Sequence, residues 1–69
     1  MEKGWVKIFS SGDVYRVEIA RQVLEEAGIK AVLIDKRESA YRLDIGEAEL
    51  YVRQEDVIMA KRFLKNLED

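Results

Sequence analysis

Three stretches of the chain carry strand signals, two by alternation and one by β-branched content, and two others repeat with helical spacing. "WVKIFS", residues 5–10, puts Val6 and Ile8 on one side and Trp5, Lys7 and Phe9 on the other, the period-two signature of a half-buried strand. "SSGD", residues 10–13, follows with turn chemistry; Ser11 or Asp13 can cap a helix by accepting from its free N–H groups. Residues 14–27 then carry Val17, Ala20, Leu24 and Ala27 on one stripe, widened by Ile19 and Val23, which predicts an amphipathic helix packed on a sheet. Gly28 supplies the left-handed residue that stops it. "IKAVLID", residues 29–35, is rich in β-branched residues and predicts a second strand. In "EAELYVRQ", residues 47–54, Ala48, Leu50 and Val52 face in while Glu49, Tyr51 and Arg53 face out, giving a third. Residues 55–67 set Val57, Ala60, Leu64 and Leu67 on one stripe beside Met59 and Phe63, with acidic residues first and basic residues later, as the helix dipole prefers.

The order is therefore βαββα. A strand, helix and strand in close succession imply parallel strands joined by a right-handed crossover. The two helical stripes coincide forty residues apart, Val17 with Val57, Ala20 with Ala60 and Leu24 with Leu64, although any two sheet-packing helices share such a stripe. On that spacing the counterpart of Ile29, where the second strand opens, is Asp69. The expected fold is α+β: a ferredoxin-like or PII-like two-layer sandwich with its fourth strand missing, strand 3 between strands 1 and 2, and both helices on one face. Strand 1 then has an unpaired edge, and unpaired edges recruit other chains unless blunted. A homodimer or a partner segment paired along that edge is expected.

Composition narrows the function. The 69 residues read as one domain, 1–69. A chain of that length buries only about 60% of its unfolded surface, so a partner or a second copy would add stability. Apolar residues at 48% and charged residues at 38% indicate a globular chain. The absence of cysteine excludes disulfides, thiolate nucleophiles and zinc–sulfur sites, and the absence of histidine removes the usual general base and the commonest metal ligand. Nothing pairs a nucleophile with a base, so the chain reads as a non-enzymatic module with no cofactor. Asp44, Glu47 and Glu49 lack the spacing of a calcium loop. No window approaches a membrane span and residues 1–9 lack an apolar leader core, which makes the cytoplasm the expected location. A net charge of −2 argues against a general attraction to nucleic acid.

Two regions hold candidate binding chemistry. Trp5, Phe9 and Tyr51 fall on the sheet face that the helices leave open. Aromatics so placed can stack on RNA bases, but Glu47 and Glu49 lie beside them and the basic-Gly-aromatic signature is missing. A protein contact surface, including self-association, and a merely half-exposed sheet face are the alternatives. The second region is "DKRESAYRLDIGE", residues 35–47, between strands 2 and 3. Lys36, Arg37, Tyr41 and Arg42 could grip a small anionic ligand or a protein partner. Asp35, Glu38, Asp44 and Glu47 make the stretch net acidic, so an anion grip would be local to Lys36 and Arg37, and a solvated turn is the alternative. Tyr41, Leu43 and Ile45 alternate with polar residues, which suggests a β-arm whose irregular part is confined to residues 36–40. The "SSGD" turn could offer helix N–H groups to an anion, but Asp13 would repel a phosphate there, so capping is its expected role.

"VLEEAGIKAVLID" and "LYVRQEDVIMAKRFL" resemble a family of short bacterial domains of unknown function, described as prokaryotic signal-transducing proteins with a PII-like, ferredoxin-like fold. The resemblance covers nearly the whole chain, through motifs that are structural: a helix stop at Gly28 and a helix start at Glu55–Asp56. The family commonly has proline before that acidic pair; here it is Gln54, which bears only on the helix start. The resemblance implies a fold and a role in regulation or ligand sensing, with contacts through the loop after strand 2. It carries no catalytic residues.

Overall fold

A computed structural model describes residues 3–37 and 46–67. Strands β1 (Trp5–Ser11), β2 (Ala31–Asp35) and β3 (Ala48–Arg53) form one antiparallel sheet in the order β1-β3-β2. Helix α1 (Val14–Glu26) links β1 to β2, and α2 (Val57–Leu64) follows β3 between short 3-10 turns at Gln54–Asp56 and Lys65–Leu67. This is the expected βαββα arrangement, compatible with a ferredoxin-like sandwich. The expected β-arm lies outside the described residues.

The core forms where the stripes meet. Ala48, Leu50 and Val52 of β3 are fully buried against Val17, Ala20 and Leu24 of α1 and Ala60 and Leu64 of α2, with Ile8, Ile29 and Ala31 completing the cluster. Local signals hold each element in place. Asp13 Oδ1 accepts from Tyr15 N (3.0 Å) at the start of α1, and Ser11 Oγ accepts from Asp13 N (3.0 Å), so both candidate capping residues are used in series. At the other end, Ile29 N donates to Leu24 O (2.9 Å) and Gly28 N to Glu25 O (3.0 Å), with Gly28 at φ +85°. This paired closure needs a residue that enters the left-handed region cheaply, which is why glycine stands there.

The structure corrects the sequence in two places. The β1–β3 register runs Trp5–Arg53, Val6–Val52, Lys7–Tyr51, then shifts, so that Phe9 lies opposite Leu50. The extra residue is Ile8, and a bulge of this kind turns two successive side chains toward one face. Phe9 therefore packs against the core with Ile8 instead of joining Trp5 and Tyr51 on the open face. Simple alternation cannot show a bulge, because "KIFS" reads equally well without one.

The second correction concerns the helix stripes. Ile19, Met59 and Phe63, expected to widen the core, are 51%, 45% and 43% exposed, and Ala27, expected on the buried stripe, is exposed because α1 ends at Glu26 with Ala27 as its cap. Two helices side by side cover about 20 Å, whereas three strands cover only about 14 Å. The flanks of the helical layer therefore have no sheet beneath them.

Candidate functional site: the open sheet face and the ends of the 36–46 connection

Alternation along each strand decides what reaches the open face. Trp5 and Lys7, then Ser10 after the bulge, come from β1; Glu49, Tyr51 and Arg53 from β3; Val32 and Ile34 from β2. In register, Lys7, Tyr51 and Val32 form one cross-strand row and Ser10, Glu49 and Ile34 the next. The Arg53 guanidinium sits over the Trp5 ring, 5.6 Å from its centroid. At that distance the cation interacts with the ring face.

Glu49 is the hub of the face. Tyr51 Oη donates to its Oε1 (2.8 Å), Lys36 Nζ lies 3.1 Å from the same oxygen, and Lys7 Nζ lies 3.4 Å from Oε2. These partners leave the Glu49 side chain only 13% exposed although no helix covers it. Its carboxyl is held below the usual range, first by the Tyr51 hydroxyl and then by the Lys36 ammonium, with burial opposing them. The Tyr51 phenol is pushed up in return by its bond to Glu49. The same carboxylate raises Lys36.

The ends of the 36–46 connection are fastened to this hub. Lys36 N donates to Glu47 O (3.1 Å), extending the β2–β3 pairing by one step. Gly46 approaches Lys36 so closely that a Cβ there would overlap the Lys36 carbonyl. Arg37 grips Asp35 through Nε to Oδ1 and Nη2 to Oδ2, both 2.9 Å, while its backbone N donates to Oδ1 at 3.0 Å. This fork lowers the Asp35 carboxyl to about 2.

Of the residues singled out in the sequence, the structure brings Trp5, Tyr51 and Lys36 to one face and sets Arg37 at its margin. Phe9 leaves the group, as described above. Tyr41 and Arg42 lie outside the described residues. Lys36 and Arg37 each already hold a carboxylate of the domain. Glu49, which gathers the network, was legible only as an outward-facing acid. A sharper sign was available: Lys7, Glu49 and Tyr51 alternate outward on neighbouring strands, so opposite charges meet across the sheet.

Two other surfaces stand out. Among the described residues, the large apolar side chains that are most exposed, Tyr15, Ile19, Ile58, Met59 and Phe63, all lie on the helices. Arg16 Nη2 donates to Leu67 O (2.7 Å), which ties the start of α1 to the 3-10 turn after α2. The other is a slot of about 450 Å³ beside β1, lined by Lys7, Ile8, Phe9, Ser10, Ser11, Arg16 and Leu67.

Fold and face together define a small α+β module that carries a polar network on an open sheet. The chain belongs to the family described as "putative prokaryotic signal transducing protein", which matches residues 5–68. No curated protein and no solved structure matches it. Among the described residues, no helix is long and apolar enough to cross a membrane.

Proposed function

We propose that this chain is a non-enzymatic, cytoplasmic regulatory module that contacts a protein partner through the open sheet face and the adjoining ends of the 36–46 connection. The observation that carries this reading is the Glu49 network. It draws Lys7, Lys36 and Tyr51 down onto the sheet and ties the connection to it, leaving one flat surface with Val32, Ile34, Tyr51 and the Trp5–Arg53 pair. Tryptophan, tyrosine and arginine are among the side chains that protein interfaces enrich. The family's description as signal-transducing points the same way.

Gripping a small anion is the weaker alternative. Lys36 and Arg37 would have to release Glu49 and Asp35, exchanging one set of charge-assisted pairs for another with little net gain. The discriminating experiment is an amide chemical-shift titration against nucleotides and anionic metabolites at low salt. The expected outcome is no saturable shift at Lys36, Arg37, Gly46 or Glu47. Saturable shifts confined to those residues would replace the protein partner with a small ligand.

A further inference from the structure

The slot beside β1 lies where the sheet ends and the helical layer continues. Its floor is the strand itself from Lys7 to Ser11, with Ile8 and Phe9 turned toward the helices, and Leu67 closes it from the end of α2. Arg16 holds that wall in place through the Leu67 carbonyl.

The strand's outer edge has bonding groups to offer. Gln54 N donates to Gly4 O (2.7 Å), which fixes the phase of the β1–β3 ladder. Bonding alternates along an antiparallel strand, so Val6 bonds to β3 whereas the backbone N–H and C=O groups of Trp5 and Lys7 point away from it. An edge of this kind accepts another strand, with main-chain bonds giving affinity and side-chain pockets giving selectivity.

Charge selects the occupant. Lys7 and Arg16 line the slot, and no carboxylate does so among the described residues. Glu49 is shared between Lys7 and Lys36, so it cannot neutralise both. A second copy of β1 pairing antiparallel with Lys7 opposite Lys7 would set like charges against each other, which destabilises a strand pair.

We infer that the slot receives an extended peptide segment of alternating apolar and acidic residues from another protein, added to β1 as a fourth strand. Apolar side chains of that segment pack on Ile8, Phe9 and Leu67, and its carboxylates, on the opposite face of the added strand, meet Lys7. This goes beyond the sheet-face reading and does not rest on it. The two are separated by which residues respond: edge binding slows exchange at the Trp5 and Lys7 amides and leaves Val32 and Ile34 unmoved, whereas face binding moves Val32 and Ile34.

The test uses the whole chain and a capped hexapeptide of alternating valine and glutamate. Expected are saturable amide shifts along residues 5–11 at low salt and slowed hydrogen exchange at the Trp5 and Lys7 amides. Weakening of about ten-fold is expected with Lys7→Gln or with lysine replacing glutamate in the peptide, the factor that 1.4 kcal/mol represents. Two N-methylated versions, one methylated on every valine and one on every glutamate, isolate the backbone contribution. A strand presents alternate N–H groups to each side, so one version should lose binding and the other keep it. Equal binding of both versions, shifts mapping to Val32 and Ile34, or no shift up to millimolar peptide would overturn the proposal. So would a dimer in sedimentation with the Trp5 and Lys7 amides protected before any peptide is added.

Discussion

Gly46→Ala puts the anchoring of the 36–46 connection to a quantitative test. An added Cβ would overlap the carbonyl oxygen of Lys36 and lie 2.8 Å from its carbonyl carbon. Both atoms are backbone, so no rotamer change relieves the clash; β2 and β3 must move apart at this end. Overpacking of that kind costs about 1–3 kcal/mol. Losing the Lys36 N to Glu47 O bond adds about 0.5–1.5 kcal/mol. Against this stands about 0.4–1 kcal/mol gained by restricting the unfolded chain. The net expectation is a loss of about 2–3 kcal/mol, a large share of the roughly 3–10 kcal/mol that a domain of this size holds. Thermal unfolding should show it, because each kcal/mol shifts the midpoint by about 4–8 °C in a domain this small. Gly12→Ala is the control, since nothing lies within 4 Å of the added Cβ there. If the Gly46→Ala midpoint stays within about 2 °C of the control, and the Lys36 amide remains protected from exchange, the close approach does not exist and the anchoring is refuted.

Further expectations follow from individual contacts. Gly28→Ala meets open space but must hold φ +85°, so it should cost about 1–2 kcal/mol in denaturant unfolding; no loss would mean that α1 ends differently. Phe9→Ala should cost about 1–3 kcal/mol, less than the 3–5 of a fully buried ring, whereas a loss under about 0.5 kcal/mol would return Phe9 to the open face. Acid should destabilise the protein through Glu49 and Asp35, whose folded carboxyls lie below their ordinary values. As pH falls through the usual carboxylate range toward 2, the unfolded chain takes up protons first, so stability present above that range is lost. Glu49→Gln should therefore flatten the fall in stability between about pH 5 and 2, and an unchanged slope would show that the network does not act on this carboxyl.

Much of the fold was legible because each local signal agreed with its neighbours. Ala48, Leu50 and Val52 alternate without interruption, and all three are fully buried. Val17, Ala20 and Leu24, with their counterparts Ala60 and Leu64, sit where helical spacing puts them. What escaped the sequence depends on relations between elements. The bulge that turns Phe9 inward is set by how β1 meets β3, not by either strand alone. The exposure of Ile19, Met59 and Phe63 depends on sheet width, which periodicity within a helix does not contain. Lys36 was visible as a cation of the connection, but its partner Glu49 lies on another strand and meets it only once the register is known.

The claim that the open sheet face is the partner surface is tested most directly by crosslinking in the source organism. Val32, beside Tyr51 on the edge strand of that face, would be replaced by the photoreactive residue p-benzoylphenylalanine, and Gln22, exposed on α1, would carry the same group as a control. Irradiation should yield one discrete protein adduct from position 32 and none from position 22, and Tyr51→Ala should abolish it by removing the centre of the surface. An adduct from position 22 alone, or none from position 32 while the chain is folded and abundant, would contradict the account and move the contact to the helices.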